Sequence, residues 1–222
     1  MKVFFAQQKR IISHYLNDFF SSKNGDLDRV HSIGGESGIR IRDFAEKGKM
    51  LRGGLVALAY FLTSGGHSKA SSADDGTPHD VPEEYPIPPR AVSAVGGVME
   101  LFQSAFLIHD DIMDRDEKRR GSQSVYSQYV SIAENHKFRD AYHTGEALGI
   151  CVGDISFFLA YEILAEVAES TQNPRLTALC SRELSYVGVA QMLDVYWGQE
   201  ETSVSEKEVF DLYRYKTGRY TF

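Results

Sequence analysis

The sequence predicts an all-α protein, an antiparallel bundle of helices, and three observations support this prediction. Apolar residues recur at helical spacing through several long segments. No stretch alternates apolar and polar residues as a strand would, and no internal repeat occurs. The most apolar windows carry polar residues in mid-run, such as Glu100 and Asp154, which is typical of core helices rather than membrane spans. We therefore expect the protein not to be an integral membrane protein, and we expect its site in the core of the bundle.

The predicted helices follow one another along the chain. Residues 3–20 repeat apolar pairs at helical spacing, and we expect the polar segment SSKNGD to end this helix. Ser205 and Glu208 have the spacing of a capping box, which predicts a helix beginning at Ser205. The other predicted helices are 50–62, 90–113, 142–170 with a break near Gly153, and 174–197.

Residues 64–89 interrupt the helical pattern. They are rich in Ser, Gly, Asp and Pro and show no periodicity, so they cannot bury enough apolar surface to order themselves. We expect a long flexible surface loop here, inside a single domain of residues 1–222, because the length fits one domain.

The net charge, the cysteine spacing and the N-terminal stretch limit the possible functions and location of the protein. The net charge of −7 argues against a nucleic-acid surface, because phosphate binding requires basic residues clustered over a whole face. Cys151 and Cys180 lie in apolar helical patterns without the spacing of a zinc or redox motif, which is typical of free thiols in a reducing compartment. The apolar stretch at the start is too short for a secretory signal, so we expect a cytoplasmic protein.

The charged segment HDDIMDRDEKRRG, residues 109–121, directly follows the apolar run LFQSAFLI. Uncompensated charge at the end of a buried helix is costly, so a metal ion and an anion are expected to meet it. Asp110 and Asp114 share a helix face, and Asp111 lies about 100° round from Asp110. All three side chains can therefore point into the opening of one cavity. Such carboxylates suit magnesium, which completes its shell with water and substrate phosphate. The alternative is a solvated acidic helix end neutralised by the arginines behind it.

Three other segments carry candidate polar residues. In GKMLRGG, Lys49 and Arg52 lie at a helix start whose backbone N–H groups also favour anions, although basic residues there can simply serve solubility. In YRYKTGRYTF, Lys216 and Thr217 lie among four aromatic residues, which also fits core packing with one snorkelling lysine. In VAQMLDVYWG, two polar residues of an apolar helix pattern are either satisfied core polar groups or site residues. They are Gln191 and Asp194.

Taken in this order, the segments resemble a known family. HDDIMDRDEKRRG resembles the first aspartate-rich motif of the trans-isoprenyl diphosphate synthases, or polyprenyl synthetases, which is Asp-Asp-x-x-Asp followed by Arg-Arg-Gly. GKMLRG is similar to that family's Gly-Lys-x-x-Arg segment, AQMLD to its Gly-Gln-x-x-Asp helix, and YKTGRYTF to its Lys-Thr segment. The resemblance runs over residues 4–222.

The resemblance implies an isoprenoid synthase-like fold, an all-α bundle with a deep central cavity. It implies a magnesium-dependent, head-to-tail condensation of an allylic diphosphate with isopentenyl diphosphate, of the farnesyl or geranylgeranyl class. It also implies a homodimer. This agrees with the residue chemistry, because ionising an allylic diphosphate needs charge neutralisation and no protein nucleophile.

Residue roles follow from matching positions in the family's motifs. The resemblance implies that magnesium is held against the allylic diphosphate by Asp110, Asp111 and Asp114, with Arg119 and Lys216 as cationic partners. It implies that the diphosphate of isopentenyl diphosphate is bound by Lys49, Arg52, Gln103 and Arg120. It implies that Thr217 and Gln191 line the site near the developing carbocation.

Product length is implied by the residues just upstream of the aspartates. Phe106 lies four residues before Asp110, on the same helix face and about 6 Å below it, where a growing chain must pass. We expect Phe106 to form part of a floor, with Ala105 leaving room beside it, and we expect products of fifteen or twenty carbons. The alternative is that Phe106 is ordinary core between helices.

The chain also departs from the family. Met50 and Gly53 stand where a basic residue and a proline are common, Ala190 where glycine is usual, and Gln103 where many members have histidine. The family's second Asp-Asp-x-x-Asp motif does not occur before Phe222. We therefore expect an N-terminal portion of a prenyltransferase, without the C-terminal helices and inactive by itself.

Two other functions stay open. One is a non-catalytic subunit that binds prenyl diphosphates or regulates a complete partner. The other is a class I terpene cyclase, which the paired arginines at 119 and 120 argue against, because a cyclase binds only one diphosphate.

Overall fold

The computed structural model describes residues 1–64, 85–199 and 203–222, and these residues are almost entirely helical. The helices are α1 (Lys2–Asp28), α2 (Ser32–Glu46), α3 (Leu51–Thr63), α4 (Arg90–Met113), α5 (Val125–Asn135), α6 (Ala141–Ser170), α7 (Arg175–Trp197), α8 (Glu206–Tyr213) and α9 (Arg219–Thr221), with a π-helical turn at Arg214–Gly218. The predicted all-α class is confirmed. Most of the predicted loop at 64–89 lies outside the described residues.

The first helix is longer than predicted. SSKNGD does not end α1, which continues to Asp28, because α2 packs against these last turns. Gly35 and Gly38 of α2 lie so close to α1 that an added Cβ would come within 2.1 Å of Asp28 and Asn24 side-chain oxygens. The sequence analysis missed α2 because its glycines look like a loop; in the structure they let two helix backbones approach.

Two further expectations were wrong. Helix α6 runs through Gly153 without a break. Two short antiparallel strands also occur, β1 (Lys118–Arg119) and β2 (Ser122–Gln123), paired as a hairpin. Strands of two residues carry no detectable alternation, which explains why the sequence pattern did not reveal them.

Contacts along the chain divide it into two units, Met1–Ile163 and Leu164–Phe222, which are described separately. In the first unit, α1 packs against α2, α3 and α4. The fully buried side chains of this core include Leu16, Phe20, Val98, Leu101 and Phe102. Helix α6 joins this core through Ser156, whose buried hydroxyl donates to the Leu101 carbonyl at 3.0 Å. This core holds the end of α4 in place.

In the second unit, α7 packs against α8, the π-helical turn and α9. The predicted capping box is confirmed: the Glu208 N–H donates to Ser205 Oγ and the Ser205 N–H donates to Glu208 Oε2. Arg219 binds Glu183 of α7 through two hydrogen bonds of 2.8 and 3.0 Å. These contacts fix the π-helical turn, which contains Lys216 and Thr217, against α7.

Two helices, Arg90–Met113 and Ala141–Ser170, are long and apolar enough to cross a membrane by length and composition. Within the described structure, 61% and 44% of their most apolar windows are buried against other parts of the protein. Core helices pass the same test, so the expectation that the protein is not integral to a membrane stays a prediction.

Candidate functional site

The aspartate-rich end of α4 is shaped by a tight hairpin. Helix α4 ends at Met113, and Arg115 then adopts the left-handed conformation with φ 57°. The chain returns through β1 and β2, joined by Arg120 and Gly121 with φ values of 52° and 77°. Two consecutive left-handed residues are the signature of a two-residue type I′ hairpin turn. The Arg-Arg-Gly motif is therefore a turn that separates its two arginines.

Arg119 folds back onto the aspartates. Its Nε donates to Asp111 Oδ1, and its terminal nitrogen lies 3.8 Å from Asp110 Oδ2 and 3.6 Å from Asp116 Oδ2. One guanidinium thus meets three carboxylates, so the arginine neutralises only part of the negative charge. The pairs that Arg119 makes are those that the alternative of an acidic end neutralised by arginines expects.

Asp111 is the most buried of the aspartates, with no exposed surface. Burial raises its pKa to about 6, although the Arg119 hydrogen bond and charge act in the opposite direction. Its Oδ2 is buried and has no hydrogen-bond partner among the residues that the structure describes. Asp110 is half-buried and Asp114, just after the helix end, is exposed. The buried Asp111 therefore anchors the hairpin, and the other two carboxylates face outward more.

These carboxylates fit magnesium as a donor set. All are hard oxygen ligands, and their charge exceeds that of the arginine that meets them. In residues 1–64, 85–199 and 203–222, no three His, Cys, Asp or Glu side chains converge closely enough to enclose a metal ion by themselves. Magnesium is commonly bound through one or two carboxylates with water and phosphate completing its shell. The donor set therefore suits a metal shared with a diphosphate.

Arg120 lies against the end of α2 and the loop before α3. Its terminal nitrogen is 3.4 Å from the Phe44 carbonyl, and a Cβ on Gly48 would lie 2.9 Å from the same nitrogen. Burial and the Arg119 charge lower the pKa of Arg120. Arg40 and Lys47 line a cavity of about 80 Å³ with both hairpin arginines. The sequence analysis missed these two basic residues because it missed α2.

The N–H groups at the start of α3 were expected to attract a substrate anion, but a carboxylate of the protein accepts from them instead. The Gly53 N–H donates to Glu100 Oε1 at 2.8 Å, and the Arg52 N–H also faces this carboxylate. Two of the first N–H groups of α3 are thus taken by the protein's own anion, so that part of the expectation was wrong. Lys49 is exposed and Arg52 half-buried, and their side chains stay the predicted groups for a substrate anion.

The predicted product-length residues lie on α4 facing other helices. Ala105 is fully buried, and Phe106 is half-buried with its ring centroid 5.0 Å from that of Phe157 in an edge-to-face contact. Phe106 therefore packs against α6, which agrees with the alternative that it is ordinary core between helices. A packed ring can also form a floor, so the proposed role stays a prediction. Gln103 is half-buried two helical turns before Asp110.

The sequence analysis also missed His109, the neighbour of Asp110. Its Nε2 lies 3.1 Å from the Ile150 carbonyl and 3.5 Å from Asp154 Oδ1. A Cβ on Gly153 would lie 2.2 Å from this nitrogen, so the glycine makes room for the imidazole. Gly145, Gly149 and Gly153, spaced by four, mark one face of α6, and this spacing was the available signal.

The remaining predicted residues belong to the second unit. Lys216 Nζ lies 2.5 Å from Asp194 Oδ2, which joins the Lys-Thr segment to the helix containing Gln191. Gln191 is half-buried and Thr217 is exposed in the π-helical turn, a form frequent at functional sites. The structure thus brings Asp194 and Lys216 together within the second unit, and the aspartates, Arg119 and Asp116 together within the first.

Comparison with known proteins identifies the family. The sequence model of the polyprenyl synthetase family matches residues 41–222, and the chain belongs to this family. It is 31% identical over 132 residues to a geranylgeranyl pyrophosphate synthase from Neocamarosporium betae, covering 60% of this chain and 33% of that protein. It is 28% identical over 127 residues to a short chain isoprenyl diphosphate synthase from Methanocaldococcus jannaschii, covering 57% and 34%. The chain thus matches about a third of the length of these curated relatives.

A solved structure confirms the fold. The geranylgeranyl pyrophosphate synthase from Corynebacterium glutamicum, complexed with isoprenyl diphosphate and magnesium, matches with a TM-score of 0.79 at 24% identity. The match covers 97% of this chain and 56% of that chain. The predicted isoprenoid synthase-like fold class is therefore confirmed.

The contact between Gly153 and His109 gives a testable prediction. We expect Gly153→Ala to lower the free energy of unfolding by about 1–3 kcal/mol, because the new methyl group would force His109 aside. Gly188→Ala is the matched control: it also lies inside a helix, and no described atom lies within 4 Å of its Cβ. This control should gain about 0.5–1 kcal/mol from helix propensity. Urea unfolding of both variants measures the difference, and stabilisation by Gly153→Ala would contradict the contact.

Proposed function

We propose that the protein acts in a short-chain prenyltransferase that condenses an allylic diphosphate with isopentenyl diphosphate. The observation that supports this most is that the two hairpin arginines have different partners: Arg119 pairs with Asp111, and Arg120 lies against the Phe44 carbonyl and Gly48, the neighbour of Lys49. The two arginines thus serve two anion-binding regions from one turn, and the proposed reaction needs two diphosphates. Membership of the polyprenyl synthetase family supports the same reaction.

The aspartate end of α4 is the proposed region for the allylic diphosphate. Asp110 and Asp114 would hold magnesium, while Asp111 fixes Arg119 across them. Magnesium bound here would neutralise the leaving diphosphate as a Lewis acid. In the second unit, Lys216, which pairs with Asp194, is a proposed cation for the diphosphate, and Thr217 and Gln191 are the proposed residues for the carbocation. None of these residues needs to act as a nucleophile.

The loop before α3 is the proposed region for isopentenyl diphosphate. Lys49, Arg52, Gln103 and Arg120 can all donate hydrogen bonds to phosphate oxygens. Lys9 steadies this loop by donating to the Glu46 and Gly48 carbonyls at 2.8 and 2.7 Å. A second cationic region argues against a terpene cyclase, which binds one diphosphate. Retention of the aspartates argues against a subunit that only regulates.

Substrate, product and setting complete the proposal. We propose products of fifteen or twenty carbons, with Phe106 and Ala105 limiting the length, and the name of the geranylgeranyl pyrophosphate synthase relative supports this class. We also propose that the enzyme works with magnesium, as a homodimer, in the cytoplasm. The solved relative was crystallised with isoprenyl diphosphate and magnesium, which supports the ligands.

The two arginines should affect different substrates. We expect Arg120→Ala to lower the affinity for isopentenyl diphosphate about tenfold or more, because a charge-assisted phosphate contact contributes about 1.5–3 kcal/mol. Arg119→Ala should instead lower the affinity for an unreactive allylic diphosphate analogue. Lys118→Ala is the matched control, since this exposed residue belongs to the same hairpin and should change neither affinity by more than about twofold. Titration calorimetry with magnesium measures both ligands, and equal losses for both arginine variants would mean a shared positive field.

Phe106 should limit product length. We expect Phe106→Ala to lengthen the products, because removing the ring opens space one helical turn below Asp110. Chromatography of the dephosphorylated products, in a preparation of the protein that turns over, measures the distribution. Phe157→Leu, which alters the packing partner and keeps Phe106, is the control for general loosening. An unchanged distribution in folded Phe106→Ala would remove this residue from the floor.

A further inference from the structure

Helix α3 begins without a side chain of its own to cap it. Its N-cap residue is Met50, which has φ 49° and whose side chain accepts no hydrogen bond from the start of α3 within the described structure. The first N–H groups of a helix lack intrahelical partners, and a buried helix start needs another acceptor. Methionine sulfur is a weak acceptor, so the acceptor must come from elsewhere in the fold.

Glu100 of α4 supplies that acceptor. Its Oε1 accepts the Gly53 N–H at 2.8 Å, although 47 residues separate them in the chain. Only 6% of Glu100 is exposed, and a glutamate is almost never so buried unless its charge is met. Burial raises its pKa, while the N–H groups of Gly53 and Arg52 and the charges of Arg52 and Arg120 oppose that rise. Glu100 therefore accepts from the helix start, and its charge interacts with the charges of the two arginines.

Gly53 makes this contact geometrically possible. A Cβ at this position would lie 2.8 Å from the Gly96 carbonyl oxygen and 2.6 Å from Ile12, so α3 and α4 approach backbone to backbone here. A proline at this position would have no N–H to donate. Gly53 supplies this donor, and Glu100 accepts from it.

We propose that Glu100 is a positioning residue for the diphosphate of isopentenyl diphosphate, acting by capping from α4 the start of α3, which carries Arg52. This inference rests on the proposed function of the Lys49, Arg52 and Arg120 region. Glu100 is not itself a ligand, because a carboxylate repels a diphosphate. It orients the cations, and its charge offsets theirs before the substrate arrives.

The test compares Glu100→Gln with Ser156→Ala. Glutamine keeps the shape of Glu100 but has one acceptor oxygen for two N–H groups and no charge for the arginines. We expect Glu100→Gln to lower the affinity for isopentenyl diphosphate at least about fivefold. The affinity for an unreactive allylic diphosphate analogue should change less than about twofold. Ser156→Ala removes another buried hydrogen bond to α4, at Leu101, and should leave both affinities near wild type. A merely structural role would lower both affinities together and lower them in both variants.

The outcomes separate this inference from the proposed function. Wild type that binds neither diphosphate overturns the proposed function and this inference with it. If wild type binds both diphosphates and Glu100→Gln has unchanged affinity for isopentenyl diphosphate, only the positioning role of Glu100 is overturned.

A second measurement uses the wild-type chain and does not depend on a folded variant. The amides of Arg52 and Gly53 should exchange with deuterium at least about tenfold more slowly than that of Leu51, the first residue of α3, because uncapped N–H groups at a helix start are open to water. Exchange of Gly53 as fast as Leu51 would show that Glu100 does not cap the helix.

Discussion

The ion pair between Arg119 and the buried Asp111 fixes the geometry on which the rest of the site depends. It holds the β1–β2 hairpin against the end of α4, and Arg120, in the left-handed turn with Gly121, lies against the Phe44 carbonyl and Gly48. A buried ion pair of this kind contributes little net stability but defines one arrangement strongly, because either partner alone would be an unmet buried charge. Under the proposed function, the hairpin thus supplies one arginine to each of the two proposed diphosphate regions.

Helix α4 links these regions. Glu100 and Asp110 are ten residues apart, so the cap of α3 and the aspartate end are separated by about 15 Å along one rigid helix. Glycines of neighbouring helices bring other elements to both places: Gly53 admits the backbone of α4, and Gly153 admits His109. Close packing at these glycines holds the charged groups in place before any substrate binds, which is the condition for strong electrostatic stabilisation.

The sequence predicted what depends on local pattern. The bounds 90–113 match α4 because its apolar periodicity is uninterrupted and Pro89 precedes it. The aspartates were selected as candidate metal ligands from their spacing and from the family resemblance, and this role stays a prediction. Helix α2 was missed because Gly35 and Gly38 are intelligible only from their contacts with α1. The different directions of Arg119 and Arg120 depend on the backbone of the turn, and Glu100 was interpreted only as a polar residue in an apolar run. Its donor lies 47 residues away, a distance that no spacing rule covers.

The most direct test of the central claim is whether the aspartate end of α4 binds a diphosphate through magnesium. Titration calorimetry of an unreactive allylic diphosphate analogue, with magnesium and with a chelator, compares wild type with the double variant Asp110→Asn and Asp114→Asn, which keeps the Arg119–Asp111 pair. Tight binding that requires both magnesium and the two carboxylates is the expected result. Equal affinity in the chelator, or in the double variant with magnesium, would contradict the account.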